Sequence, residues 1–93
     1  MDIRREVTDT KGRYVIDLPE GEAELTYSIL SPHSIIADHT GVPKAAEGGG
    51  VGKALVERLV EDARAEGVKI VPLCPYVNAM RRRHPEWADV FNT

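Results

Sequence analysis

Cysteine is nearly missing from this chain: Cys74 is the only one in 93 residues. A lone cysteine closes no internal disulfide, so nothing here points to an oxidising, secreted setting. Long apolar runs are also missing, and none approaches the roughly 20 residues that span a bilayer. The opening segment, Met1 to Lys11, has no apolar core and does not read as a signal peptide. There is no excess of positive charge either. Twelve Lys and Arg against fifteen Asp and Glu give a formal net charge of -3, which argues against a general nucleic-acid binder. The expectation is one cytoplasmic domain over residues 1–93, with no membrane and no specific nucleic acid among its partners. A chain this short buries modest apolar surface, so a monomer or weak dimer steadied by a ligand is expected.

What is present falls into two halves with different periods. Gly12 to Leu18 is rich in strand formers and ends at the turn chemistry of Pro19, Glu20 and Gly21. Ala23 to Leu30 then alternates, with Leu25, Tyr27 and Ile29 on one face and Glu24, Thr26 and Ser28 on the other. After Ser31-Pro32-His33, the stretch Ser34 to Val42 reads as the next strand, and Ile3 to Val7 adds an edge. Short turns between strands predict an antiparallel meander. Beyond residue 50 the period lengthens. Val51, Leu55, Val56, Leu59, Val60 and Ala63 form a helical stripe that Gly67 ends. Val68 to Leu73 is an apolar run of strand length broken by Pro72, which has no N–H for a ladder. Either this is an edge strand or its neighbour has peeled away by Pro72. Tyr76 to His84 is a short helix stopped by Pro85. The fold class is α/β, with a mixed, mostly antiparallel sheet and two main helices.

Between the halves lies Glu47-Gly48-Gly49-Gly50-Val51-Gly52-Lys53. A glycine-rich loop running into a helix start gathers unpaired N–H groups at the positive end of the helix dipole, which suits an anion. The phosphate loop of nucleotide hydrolases fails twice: Glu47 stands where its first glycine belongs, and Ala54 where Ser or Thr would hold magnesium. The dinucleotide fingerprint also fails, because its third glycine falls on Lys53 or Leu55. The coenzyme A pyrophosphate pattern, R/Q-x-x-G-x-G/A, finds its G-x-G in Gly50-Val51-Gly52, with Glu47 in place of the usual Arg or Gln.

With that pattern stand three more stretches: Asp38 to Pro43, Val68 to Val77, and Arg82 to Trp87. Together they resemble the small single-domain GNAT-type N-acetyltransferases (the YjdJ-like group, related to the minimal plant acetyltransferase). The resemblance runs from about Tyr14 to the end. It implies a minimal GNAT fold in which acetyl-CoA, the cosubstrate, enters a V between two splayed central strands, Ser34 to Val42 and Val68 to Leu73. It implies that Thr40, Gly41 and Val42 pair with the pantetheine arm through backbone. It also implies that Gly48, Gly49, Gly50, Val51, Gly52 and Lys53 hold the pyrophosphate. Asn78 and Arg82 are further candidates to reach the cofactor, Asn78 at the pantetheine and Arg82 at the phosphates.

For the chemistry, Cys74 ends one arm of the V and is a candidate near the thioester; a thiolate is a strong nucleophile. The other reading is a buried small hydrophobe. His39 is a candidate general base, and its other reading is an outward strand histidine. The resemblance offers Tyr76 as a proton donor to the leaving CoA thiolate, but its place early in the helix reads rather as packing; His84 and Trp87 read as structural. No ligand spacing among His33, His39, Cys74 and His84 suggests a metal. The expected activity is transfer of acetyl to an amine, a protein-borne one among the candidates, by direct attack in a ternary complex with the strand amides polarising the carbonyl. The alternative is a module that holds CoA or acyl-CoA without efficient transfer. A third reading gives Arg81 to Arg83 an acidic protein partner.

Overall fold

A computed structural model describes residues Met1–Thr93. Five strands form one sheet in the order β1-β2-β3-β4-β5: β1 Arg4–Val7, β2 Lys11–Leu18, β3 Gly21–Ser31, β4 Ser34–Gly41 and β5 Lys69–Pro72. The first four pair antiparallel, and β5 pairs parallel to β4. The two inner hairpins turn on Pro19-Glu20 and Pro32-His33, since Leu18 pairs with Gly21 and Ser31 with Ser34. α1, Val51–Glu66, crosses back between β4 and β5, which a parallel pair requires. α2, Pro75–Arg83, follows β5, and short 3-10 turns cover Lys44–Ala46 and Pro85–Val90. No helix is long and apolar enough to cross a membrane.

Both helices lie on one face of the sheet. Val51, Leu55, Val56, Leu59, Val60 and Ala63 of α1 are buried with Tyr14, Ile16, Ala23, Leu25 and Tyr27 of the strands. Val77 and Met80 of α2, then Trp87, Val90 and Phe91, complete this core. The stacked His84 and Trp87 rings, 4.0 Å apart, fold the last turn back as expected.

Tyr27 lies across Gly12, its partner on β2. A β-carbon on Gly12 would stand 2.1 Å from Tyr27 Cζ, so the bare backbone is what admits the ring. Arg5 from β1 then clamps the tyrosines. Its Nε donates to the Tyr27 hydroxyl at 3.0 Å, and its guanidinium lies 5.5 Å from the Tyr14 ring centre. It also reaches Glu66 of α1 at 2.5 Å, while the Tyr14 hydroxyl donates to Asp62 at 2.8 Å.

The opposite face of the sheet carries no helix. Val15 points that way and is still only 1% exposed. Arg4 and Glu24 stand directly opposite it on the neighbouring strands. Arg4 and Arg13 link to Glu6, Asp17, Glu22 and Glu24 in a lattice over β1 to β3, whose apolar stems cover the valine.

Two features prepare the site. β4 carries a bulge: Thr26 pairs with His39 but Tyr27 pairs with Ala37, leaving Asp38 extra. And β4 parts from β5. Their last pair is Ala37 with Pro72, after which β4 runs on to Gly41 alone on that side. Pro72 therefore sits where the ladder ends, and the chain turns away through Cys74, whose amide donates to the Ala37 carbonyl at 2.8 Å. β5 is also the last strand of the sheet; its outer side is met by the chain's own end, where Phe91 pairs with Ile70 and the Asn92 amide donates to the Ile70 carbonyl at 2.8 Å.

Candidate active site

A cleft of about 370 Å³ opens where β4 runs on alone. Thr40 and Val42 from the strand end, Ala46 to Gly48 and Gly50 from the loop, Val51 to Lys53 from the start of α1, and Tyr76 from α2 line it. The glycine loop thus faces the divergence of the two strands.

The amides decide what the loop can hold. Those of Val51, Gly52 and Lys53 belong to the first turn of α1, where no carbonyl four residues back lies in the helix. Gly48 and Gly50 donate to no backbone carbonyl either, whereas the Gly49 amide is spent on the Ala46 carbonyl at 3.3 Å. No side chain caps the helix. Five amides without a partner in the chain thus lie at the positive end of a 16-residue helix, with Gly49 set apart. Gly48 and Gly50 adopt φ of +85° and +83° with open space around the would-be β-carbon, so backbone conformation demands glycine there.

Gly52 is glycine for another reason. A β-carbon would stand 2.7 Å from the Tyr76 hydroxyl and 2.9 Å from its ring. The phenol rests on the bare first turn of α1 and forms the α2 side of the cleft. Burial pushes its pKa up from the ordinary tyrosine value, with Arg83 pulling the other way, so it stays protonated at neutral pH. Tyr76, read from sequence as packing rather than as a proton donor, lines the cleft. A glycine inside the first turn of a helix, where alanine is favoured, was the available signal.

The bulge sorts the strand residues. Thr40 pairs with buried Leu25 and points to the helix side, where its Oγ1 lies 3.4 Å from Cys74 Sγ. His39 pairs with Thr26 and is exposed on the other face, with its ring folded over Gly41. The structure thus brings Thr40 and Cys74 together and sets His39 apart from both. Cys74 is 3% exposed and stands behind the cleft wall rather than in it. Asn78 and Arg82 also lie outside the cleft: Asn78 accepts a hydrogen bond from Arg81 at 2.8 Å, and Arg82 lines a separate depression with Pro85 and Phe91. Val77 and Met80 fix the rotation of α2 and turn Arg82 away. Glu47 is exposed at the cleft mouth.

An anion loop set beside two parting strands suits an extended, phosphate-bearing ligand. The sequence profile of the GCN5-related N-acetyl-transferase family matches residues 13–90. A solution NMR structure of a GCN5-like candidate N-acetyltransferase from Staphylococcus aureus superposes with a TM-score of 0.70 at 32% identity. That match covers 96% of this chain and 87% of the other. No curated protein sequence matches. The chain belongs to the GCN5-related N-acetyltransferase family, and its sheet and helices are the GNAT-like fold read from the sequence.

Proposed function

We propose that the chain transfers acetyl from acetyl-CoA to an amine within a ternary complex. The observation that carries this is the set of free amides at Gly48, Gly50, Val51, Gly52 and Lys53, opening onto the place where β4 loses β5. These donors suit the diphosphate, and Lys53 adds a charge at the rim. The exposed edge of β4 from Thr40 to Val42 suits the amide-bearing pantetheine arm. The thioester then falls near Thr40, in front of Cys74. Glu47 opposes the anion and favours a modest affinity.

In the transfer, the amine nitrogen adds to the carbonyl carbon, the π pair moves to oxygen, and the pair returns as the carbon–sulfur bond breaks. Sulfur leaves with the electron pair and takes a proton from the Tyr76 phenol, while the amine gives one to solvent, from which the phenol is refilled. His39 takes no part in this scheme, because it lies on the other face. The two-residue turn at Pro19-Glu20 builds no lid. An open acceptor side suits an extended or protein-borne amine in the cytoplasm, met by one domain acting as a monomer or weak dimer.

Calorimetry with acetyl-CoA, CoA and ATP tests this. Acetyl-CoA and CoA bind, ATP binds at least about tenfold more weakly, and Gly50→Val loses a similar factor while remaining folded. Tight ATP binding with no CoA signal would remove the assignment. A folded Gly50→Val with normal affinity would remove the loop. Binding without transfer to any amine would favour the holding module.

A further inference from the structure

Cys74 and Thr40 form a pair whose hydrogen can be assigned. The thiol is buried, and its one polar contact is Thr40 Oγ1 at 3.4 Å. Sulfur is a weak acceptor, so a hydroxyl proton facing an open cleft gains little by turning towards it. A buried S–H has no other acceptor here, whereas the threonine oxygen has two lone pairs. Either group can donate across this contact; on the balance of acceptors the thiol is assigned as donor, which leaves the Thr40 O–H free for the cleft that Thr40 lines. The bulge at Asp38 makes this possible. Without the extra residue, strand alternation would turn His39 inward and Thr40 outward.

We propose that the Thr40 hydroxyl, oriented by the Cys74 thiol, is the hydrogen-bond donor to the thioester carbonyl oxygen. Cys74 is then a positioning residue with no covalent part in the reaction. This rests on the thioester placement given above and adds the group that meets its oxygen. When the amine attacks, the carbonyl π pair moves to oxygen, and the hydrogen bond from Thr40 becomes charge-assisted and stronger. When the carbon–sulfur bond breaks, the pair returns. The Thr40 proton stays on its own oxygen throughout, so the residue leaves the step unchanged.

The test reads the carbonyl directly. Acetyl-CoA labelled with carbon-13 at the thioester carbonyl is bound to the wild-type chain, T40V, T40S, C74A and C74S, and its stretching band is followed by difference infrared spectroscopy. The wild-type band moves to lower frequency than that of free acetyl-CoA. T40V loses most of the displacement, T40S keeps it, C74A gives a broadened intermediate band, and C74S restores a sharp one. With N-α-acetyl-lysine amide as acceptor, kcat falls about a hundredfold in T40V, the effect of removing one such donor. Acetyl-CoA affinity there stays within about twofold, since the donor's gain comes in the transition state. C74A loses several-fold in kcat and C74S recovers it. A T40V band at the wild-type position, an unshifted wild-type band, or a C74S variant as impaired as C74A overturns the proposal. So does an acetyl-Cys74 species that forms and decays at the turnover rate. If calorimetry finds no acetyl-CoA binding to the wild-type chain, the reading of the site fails first, and this assignment falls with it.

Discussion

Two glycine–tyrosine pairs use the same device at opposite ends of the molecule. At Gly12 the ring of Tyr27 lies on bare strand backbone; at Gly52 the ring of Tyr76 lies on bare helix backbone. Tyr27 is 1% exposed and is fixed at its hydroxyl by Arg5. Tyr76 is 39% exposed and no side chain bonds its hydroxyl within the chain. A missing β-carbon thus serves stability where the ring is enclosed, and a movable wall where the ring keeps a free side. Burial of the partner, not the glycine, separates a packing site from a functional one.

Gly12→Ala should show the largest effect of any change to the two pairs. The new methyl meets Tyr27 at 2.1 Å, and moving that ring breaks the Arg5 contact as well. We expect a loss of about 3 kcal/mol, the upper range for overpacking. At this chain length that corresponds to a drop in Tm of roughly 12 °C or more, read by circular dichroism. A change of only a few degrees would mean that Tyr27 is not wedged.

The enclosed side also has a pH signature. Burial, and then the Asp62 carboxylate that takes its hydrogen bond, push the Tyr14 phenol up from 10.0. The folded chain holds this proton more tightly than the unfolded one. The contribution is therefore whole below about pH 10 and is lost as the pH rises above it. Tyr14→Phe should cost about 1 kcal/mol at pH 8, the net worth of a hydrogen bond. It should also flatten the fall in stability between pH 10 and 11.5, measured by urea denaturation. An equally steep fall in the variant would place the alkaline weakness elsewhere.

Gly52→Ala should have the smallest effect on stability. Alanine gains up to about 1 kcal/mol over glycine in a helix, and the half-exposed phenol can swing aside. Tm should stay level or rise, while acetyl-CoA affinity falls several-fold because the cleft wall has moved. Loss of both together would make Tyr76 as rigid as Tyr27.

The strands and α1 were legible because burial imposes its period on the residues. Leu25 and Tyr27 alternate with Glu24 and Thr26, and the α1 stripe from Val51 to Ala63 repeats at helical spacing. The loop was legible because few functions other than anion binding bring four glycines together at a helix start. The orientation of Thr40 and His39 was hidden. Strict alternation from Ile35 and Ala37 puts His39 inward, and only the cross-strand register reveals the extra residue at Asp38. Arg82 was hidden in the same way, since the rotation of a nine-residue helix is set by where Val77 and Met80 land. The Gly52–Tyr76 contact joins residues far apart in sequence; the glycine in the first turn of α1 signals a close approach but does not name its partner. The pairing of Phe91 with Ile70 was equally out of reach, being a single bridge made after two turns of chain.

That bridge has a consequence for how the protein behaves when crowded. An open sheet invites other chains to add strands at its rims. At one rim Phe91 pairs with Ile70 and the Asn92 amide donates to the Ile70 carbonyl. At the other, β1 is four exposed residues, Arg-Arg-Glu-Val, whose arginines are tied into the lattice and the tyrosine clamp. One rim is shut by the chain's own backbone and the other is guarded by charge. The second guard weakens as salt screens it, so strand-to-strand association at high concentration should begin at β1 and rise with ionic strength.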